Sequence, residues 1–201
     1  MEVPGWFAET LASELAAWVD LSSGQTAQLY EHYLLLERWN KKINLTTVEP
    51  GREMVIRHYC ESIFFAAHIE TSDSSIADIG SGAGFPGIPL AILKPECQVT
   101  LVESHQRKAV FLREAARTLE NVSVVARRAE DLVTNFDWLV ARAVKPRDVV
   151  ALIPRLALNM GLMLGEYDFL DIKTTKHVAW SEPVRLPWGD RRICVYGRSS
   201  T

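Results

Sequence analysis

The 201-residue chain has only three cysteines, Cys60, Cys97 and Cys194, scattered and odd in number. That usage argues against a disulfide framework or a zinc site and predicts buried thiols in a reducing compartment. The sequon-like triplets Asn44-Leu45-Thr46 and Asn121-Val122-Ser123 therefore carry little weight. Long apolar runs are also missing. The best candidates are broken by Asp78 or by Pro154 and Arg155, so no membrane span is expected. The opening residues, MEVPGWFAE, lack a basic segment followed by an apolar one, so no export is expected and the predicted location is cytoplasmic. Internal repeats and low-complexity tracts are absent. Cations are missing from the first part of the chain: six acidic residues occur up to Glu37 and no Lys or Arg. The net charge of −3 excludes a binder of nucleic acid that works through bulk positive charge.

With 48% hydrophobic and 23% charged residues, the composition suits one sizeable core in a soluble globular protein. Charge is unevenly spread. Between Ser104 and Arg147 nine Lys or Arg face five Asp or Glu, namely Arg107, Lys108, Arg113, Arg117, Arg127, Arg128, Arg142, Lys145 and Arg147. Each alone reads as a solvated helix face or a local ion pair. Their clustering points to a phosphate-rich partner.

The first seventy residues read as helices. Trp6, Phe7, Leu11, Leu15 and Trp18 recur at helical spacing, and Ser22-Ser23-Gly24-Gln25 has the form of a capping box. The second helix carries Leu29, Tyr33, Leu36 and Trp39 and stops near Asn40. A third is predicted from about Glu53 to Ile69, and these aromatic stripes read as packing surface. A polar break, Thr71 to Ser75, then changes the pattern. Strands are predicted at Ile76–Ile79, Val99–Glu103, Val122–Ala126, Trp138–Ala141 and Leu162–Leu164, with helices such as Gln106–Leu119 and Arg147–Leu158 between them. Alternation of this kind implies right-handed βαβ units in an α/β fold, with a mostly parallel twisted sheet and helices on both faces. His177–Trp180 and Arg192–Tyr196 read as an antiparallel pair at the end. The expected organisation is a helical segment, residues 1–70, packed on a main domain, residues 71–201, in one compact unit.

The stretch ADIGSGAGFPGIPLAIL, from Ala77, joins the first strand to its helix and can be read in two frames. Gly80, Gly82 and Gly84 give G-x-G-x-G, suited to a methyl donor; Gly82, Gly84 and Gly87 give the G-x-G-x-x-G of a dinucleotide site. Both put an acidic residue, here Glu103, at the end of the second strand for ribose hydroxyls. Asp78 separates them. A carboxylate at the end of the first strand would repel a pyrophosphate but attract the ammonium and sulfonium of S-adenosylmethionine. The donor frame is therefore favoured, and Gly87 is read as close helix packing. Arg127-Arg128-Ala129-Glu130-Asp131 after the third strand suits an adenine edge or, alternatively, a charged helix cap. Arg142 ends the fourth strand facing the crevice, or else forms an ion pair with Glu130 or Asp78. No Asn/Asp-Pro-Pro-Tyr and no Pro-Cys nucleophile follow, so the acceptor needs neither aid.

ADIGSGAGFPGIPLAIL, LVESHQRKAVFLREAARTL, RRAEDL and VARAV, preceded by LERWNKKINLTTV and RHYCESI, resemble in order and spacing the RsmG (glucose-inhibited division protein B) family. The resemblance covers nearly the whole chain. It implies a class I, Rossmann-like fold and methyl transfer from S-adenosylmethionine to N7 of a guanosine in 16S ribosomal RNA, free or in a small-subunit particle. A monomer without metal or membrane partner is expected. Carried over by position, Gly80 and Phe85 belong to the donor turn, Glu103 binds ribose, and Ala129 with Glu130 meets adenine. Arg142 serves donor and active site; Arg107 and Arg128 serve RNA or catalysis. The chain departs from the family in lacking a Lys-Gly after the fifth strand, where Gly161 to Tyr167 holds no lysine and Lys173 lies too far along. That departure keeps two alternatives in view: another RNA or small-molecule acceptor, or a nonenzymatic ribosome-assembly factor with a donor pocket.

Overall fold

The computed structural model describes residues 2–70, 74–189 and 191–200. Residues 71–73 of the polar break lie outside them. The sheet runs in the order β3-β2-β1-β4-β5-β8-β6, with β7 pairing β8. Its strands are β1 (Ser75–Ile79), β2 (Gln98–Val102), β3 (Val122–Val125), β4 (Phe136–Arg142), β5 (Ala157–Gly165), β6 (Val178–Trp180), β7 (Val184–Arg185) and β8 (Arg192–Ser199). β1 to β5 are parallel; β8 is antiparallel to β5 and to β6. The predicted terminal pair is thus present, but β8 also inserts against β5 and becomes central.

Strand order reverses between β1 and β4, which is where an open α/β sheet offers a ligand crevice at its carboxyl edge. The alternation of β1 decides which face each side chain joins. Ile76 lies in the core shared with the amino-terminal helices, whereas Ala77 and Ile79 lie in the core under α7 (Pro146–Leu156). Helices α1 (Gly5–Leu15), α2 (Ser23–Asn40) and α4 (Glu61–Ala67) contribute Phe7, Leu11, Leu29, Leu36 and Phe65 to the first core. The same core holds Ile88 of α5 (Gly87–Leu93) and Phe111 of α6 (Gln106–Ala115). All three cysteines are buried and unpaired.

Local signals and long-range packing divide the outcome. The capping box forms as written: Ser22 accepts from Gln25 N, and the Gln25 side chain accepts from Ser22 N at 3.0 Å. The first helix stops at Leu15, and Trp18 packs instead in a turn against Phe64 and Trp188. The third predicted helix is continuous but irregular: α3 (Arg52–Met54) passes through a π-helical turn, Val55–Cys60, into α4. The wider turn rotates His58 and Glu61 relative to a regular helix. The helix predicted to reach Leu158 ends at Leu156, and β5 starts at Ala157, well before Leu162. Leu156 and Leu158 carry on the apolar pattern of α7, but Ala157 is already extended, with φ −158° and ψ 163°. Ladders to β4 and β8 on both sides claim the segment.

Candidate active site

Of the positions selected from the sequence for the donor, Gly80, Gly82, Phe85, Ala129, Glu130 and Arg142 line a cleft of two halves that meet at Gly80, whereas Asp78, Gly84 and Glu103 line neither half. One half, about 150 Å³, is lined by Ile79, Gly80, Val102, Ser104, Arg127, Arg128, Ala129 and Glu130, with Val144 and Val149 opposite. The other, about 210 Å³, is lined by Leu45, Thr46, His58, Gly80 to Ala83, Phe85, Lys108, Arg142 and Ala143.

The glycine turn shows why its glycines are spaced in twos. Gly80, Gly82 and Gly84 have φ of 70°, 56° and 88°, the left-handed region that only glycine enters without strain. A Cβ at Gly80 would stand 2.6 Å from Val144 Cγ2, so the loops after β1 and β4 close on each other there. Gly87 is different. Its Cβ would meet Leu101 Cδ2 at 2.4 Å and Asp78 Oδ2 at 2.6 Å, so it lets α5 lie directly on the sheet. That is the packing role read from the sequence.

Asp78 does not face the cleft, contrary to the expectation that its carboxylate meets a cationic ligand. It points to the α5 side, is fully buried, and Oδ2 accepts from Gly87 N at 3.1 Å. The reason is the period of the strand: Asp78 is two residues after Ile76 and shares its face. Burial pushes its carboxyl up to about 7 against the opposing pull of the Ser81 and Gly87 hydrogen bonds. Asp78 still disfavours a pyrophosphate, by a route the charge argument did not foresee. It takes the amide at the start of α5 that a dinucleotide site offers to phosphate. The amides of Gly80 and Ser81 donate to Val102 O, those of Gly84 and Phe85 to Ser81 O, and that of Ile88 to Gly84 O. Gly82 N donates to Glu103 Oε2 at 3.0 Å. These amides are therefore engaged within the protein.

Glu103 sits between the lining residues Val102 and Ser104, and its other oxygen accepts from His105 N at 2.7 Å. Two backbone donors fix the carboxylate and leave lone pairs for hydroxyl groups. Ala129 and Glu130 lie in a 3-10 turn, Ala129–Asp131, preceded by the exposed Arg128. Arg155 of α7 tethers that turn, donating to Glu130 O at 3.0 Å and to Leu132 O. Sequence reading gave Arg155 no such role.

In the second half, Arg142 ends β4 with Nη2 3.2 Å from Glu61 Oε2. Its partner is neither Glu130 nor Asp78, the two acids weighed from the sequence. Arg192 Nη1 of β8 lies 2.6 Å from Glu61 Oε1, so one buried carboxylate holds two guanidinium groups. Among the described residues Arg142 Nη1 has no hydrogen-bond partner although it is buried. The next residue, Ala143, has φ 56°, an unusual backbone at the mouth of the site. His58 stacks on Phe85 at 4.8 Å between ring centroids and shares a hydrogen bond of 2.7 Å with Thr46 Oγ1. Burial, then the charge of Arg142, pushes the His58 imidazole down to about 3, so it is neutral here. Phe85 is both a lining residue and packed on His58, Tyr59 and His32. Arg107 is exposed on α6 and outside both lining sets, while its neighbour Lys108 lines the second half. Beyond β5, where the lysine is missing, Arg191 donates to Tyr167 Oη at 2.9 Å and Arg185 pairs with Glu166 at 2.6 Å. Among the described residues no group of three or more His, Cys, Asp or Glu could hold a metal ion, and no helix is long and apolar enough to cross a membrane.

The family model for rRNA small subunit methyltransferase G matches residues 25–178. The chain belongs to that family. A relative named ribosomal RNA small subunit methyltransferase G from Xanthomonas axonopodis pv. citri (strain 306) is 48% identical over 127 residues, 61% of this chain and 59% of the relative. One of the same name from Xanthomonas campestris pv. campestris (strain B100) is 45% identical over 145 residues, 70% of this chain and 67% of that one. The match thus spans about three fifths of the length of the first relative. A solved S-adenosylmethionine-dependent methyltransferase from Aquifex aeolicus shares the fold, with a TM-score of 0.59 at 13% identity over 72% of this chain and 92% of that one. Within the family match lie Glu61, the glycine turn, Glu103, Ala129, Glu130 and Arg142; Arg192 lies beyond it.

Both residues that brace Arg142 escaped sequence reading. Glu61 carried one signal: a lone acid in a helix whose neighbours Cys60, Ser62, Ile63 and Phe64 are all buried needs a cationic partner. Nothing local pointed to Arg192.

Proposed function

We propose that this protein transfers a methyl group from S-adenosylmethionine to N7 of a guanosine in 16S ribosomal RNA, acting as a cytoplasmic monomer on the small-subunit RNA or particle. The observation that carries the reading is the convergence of Ala129 with Glu130 and Arg142 around Gly80, with Glu103 tied to the same turn through Gly82 N, in a chain of this family. The residues present fit the donor. The engaged amides of the turn offer little to a phosphate, and Glu103 has lone pairs left for vicinal hydroxyls. Glu103 would hold the ribose, Ala129 and Glu130 the adenine, and Gly80, Gly82, Gly84 and Phe85 the rest, with Asp78 supporting the turn from beneath. Bound there, the donor supplies an electrophilic methyl group on a cationic sulfur.

The protein's own groups suit an acceptor that needs no base. Guanine N7 has an in-plane lone pair and no proton to lose. Two groups beside the second half match this: His58 is half-buried and neutral, and Glu61 is paired with two arginines. Catalysis then rests on holding the base and the methyl group in line. Arginine commonly reads guanine through O6 and N7 together. Since N7 must stay free, Arg142 is assigned to O6 or a phosphate, with Lys108, Arg128 and Arg107 on the approach path. The target base must be unstacked or already exposed to reach a cleft of this size.

The test is incubation with labelled donor and small-subunit RNA, naked and assembled, from a strain lacking the modification, followed by mapping of the labelled nucleotide. Label at guanosine N7 is expected; no label on any form of the substrate overturns the reading. A second reading, transfer to a different acceptor, is favoured by the lack of the family's Lys-Gly soon after the fifth strand, where Gly161 to Tyr167 holds no lysine. The same map separates them, because label would then appear at another site or on no RNA.

A further inference from the structure

Three elements distant in sequence meet at one carboxylate. Glu61 starts α4 directly after the π-helical turn and is 1% exposed. Its two oxygens lie 3.2 Å from Arg142 Nη2 and 2.6 Å from Arg192 Nη1. Arg192 is itself confined. A Cβ at Gly189 would stand 2.4 Å from its Nε and Nη2, and Nη2 donates to Trp188 O at 3.4 Å. The chain thus builds a fixed cation behind the acid, and the acid in front of it pairs with one terminal nitrogen of Arg142. The remaining terminal nitrogen, Nη1, is buried without a protein partner among the described residues. The contact is an ion pair through one nitrogen and one oxygen, since the two carboxylate oxygens are divided between two arginines, and it restrains the Nη2 end of the guanidinium.

We infer that Glu61, backed by Arg192, is a positioning residue that fixes the guanidinium of Arg142 in the cleft so that Nη1 is left for the acceptor's oxygen. The inference deepens the methyltransferase reading and rests on it for its kinetic consequence. The triad has one negative and two positive charges, so it keeps a net positive charge suited to an anionic or carbonyl oxygen. A carboxylate with only one arginine would cancel that charge. Arg192 therefore lets Glu61 orient Arg142 without neutralising the site.

The test compares Glu61→Gln and Glu61→Asp with the parent, alone and combined with Arg142→Lys. In the parent, the Nη2 hydrogens of Arg142, followed by nitrogen-15 NMR without donor or RNA, are expected to exchange slowly with water. In Glu61→Gln they should exchange at least about tenfold faster, with Glu61→Asp between. On small-subunit RNA, kcat of Glu61→Gln should fall about tenfold while KM for RNA does not rise, since the freed arginine keeps its charge. Added to Arg142→Lys, Glu61→Gln should cost little more, because both act through one group. Unchanged exchange in Glu61→Gln, or full additivity of the two substitutions, overturns the inference. A parent protein inactive on every RNA would count against the methyltransferase reading, and the exchange measurement would then decide the positioning role alone.

Discussion

The two halves of the cleft are made by different means. Around Glu103 the site is assembled from backbone: three left-handed glycines, turn amides returned to Val102 O and Ser81 O, and a carboxylate pinned by Gly82 N and His105 N. Around Arg142 it is assembled from side chains. Leu45, Thr46 and His58 wall it, while Glu61 from another helix pairs with the arginine and Arg192 from another strand pairs with Glu61. A backbone-built half depends on glycine spacing within a short segment. A half built from buried charges depends on three elements docking correctly, so the amino-terminal helices do more than cover the sheet.

The largest contrast should come from deleting one central group in each half. Arg142→Ala is expected to lower kcat/KM on RNA by roughly two to three orders of magnitude, the scale for removing one aimed donor. It should also cost about 3 kcal/mol in urea unfolding, because Glu61 keeps only one of its two partners. Glu103→Ala leaves two amides without acceptors and should cost about 1–2 kcal/mol. Its functional effect should fall on donor affinity, read by calorimetry. A larger stability loss for Glu103→Ala than for Arg142→Ala would break the comparison.

Gly87→Ala tests the backbone-built half by overpacking it. The new methyl would collide with Leu101 and Asp78, at an expected cost of about 1–3 kcal/mol. Donor affinity should drop with it, while the environment of Arg142 stays intact. Asp78 adds a pH dependence to the same half. Its carboxyl, pushed up to about 7 by burial, binds a proton more tightly folded than unfolded, where the ordinary value is 3.8. Its contribution to stability is therefore complete below about pH 4 and is lost as pH rises through about 7. Asp78→Asn removes that loss, so the fall in Tm between pH 4 and 8 should be shallower than in the parent. Parallel Tm curves for the two proteins would refute the assignment.

How much of this could be read beforehand follows from the same contrast. The parallel sheet, the glycine turn, the capping box at Ser22 and the packing role of Gly87 were legible because each is written within a few residues. The side of the strand on which Asp78 falls was legible in principle, since Ile76 sets the phase; attention to charge alone hid it. The start of β5 at Ala157 was not legible, because Leu156 and Leu158 continue the apolar pattern of α7 and only the ladders to β4 and β8 choose the strand. Likewise no local pattern joins Glu61 to Arg142 and Arg192. Such pairings become visible only when the fold has brought β4 and β8, on either side of β5, together with α4.

The smallest effect separates two adjacent cations at the edge of the side-chain half. Arg107 and Lys108 are neighbours on α6, about 100° apart around the helix. The family resemblance selects Arg107, but Lys108 is the one that lines the cleft. Lys108→Ala should therefore lower kcat/KM by about tenfold, and Arg107→Ala by only two- to threefold, in the manner of a contact to passing phosphates. Salt provides the sharper reading. If either residue neutralises one phosphate, its removal should reduce the slope of log affinity against log salt by about one. A lysine that meets the target base inside the cleft would instead leave the slope nearly unchanged while lowering kcat. Should Arg107→Ala prove the more damaging, the RNA crosses the first turn of α6 on its exposed side. The acceptor half of the cleft would then extend beyond the walls formed by Thr46, His58 and Phe85.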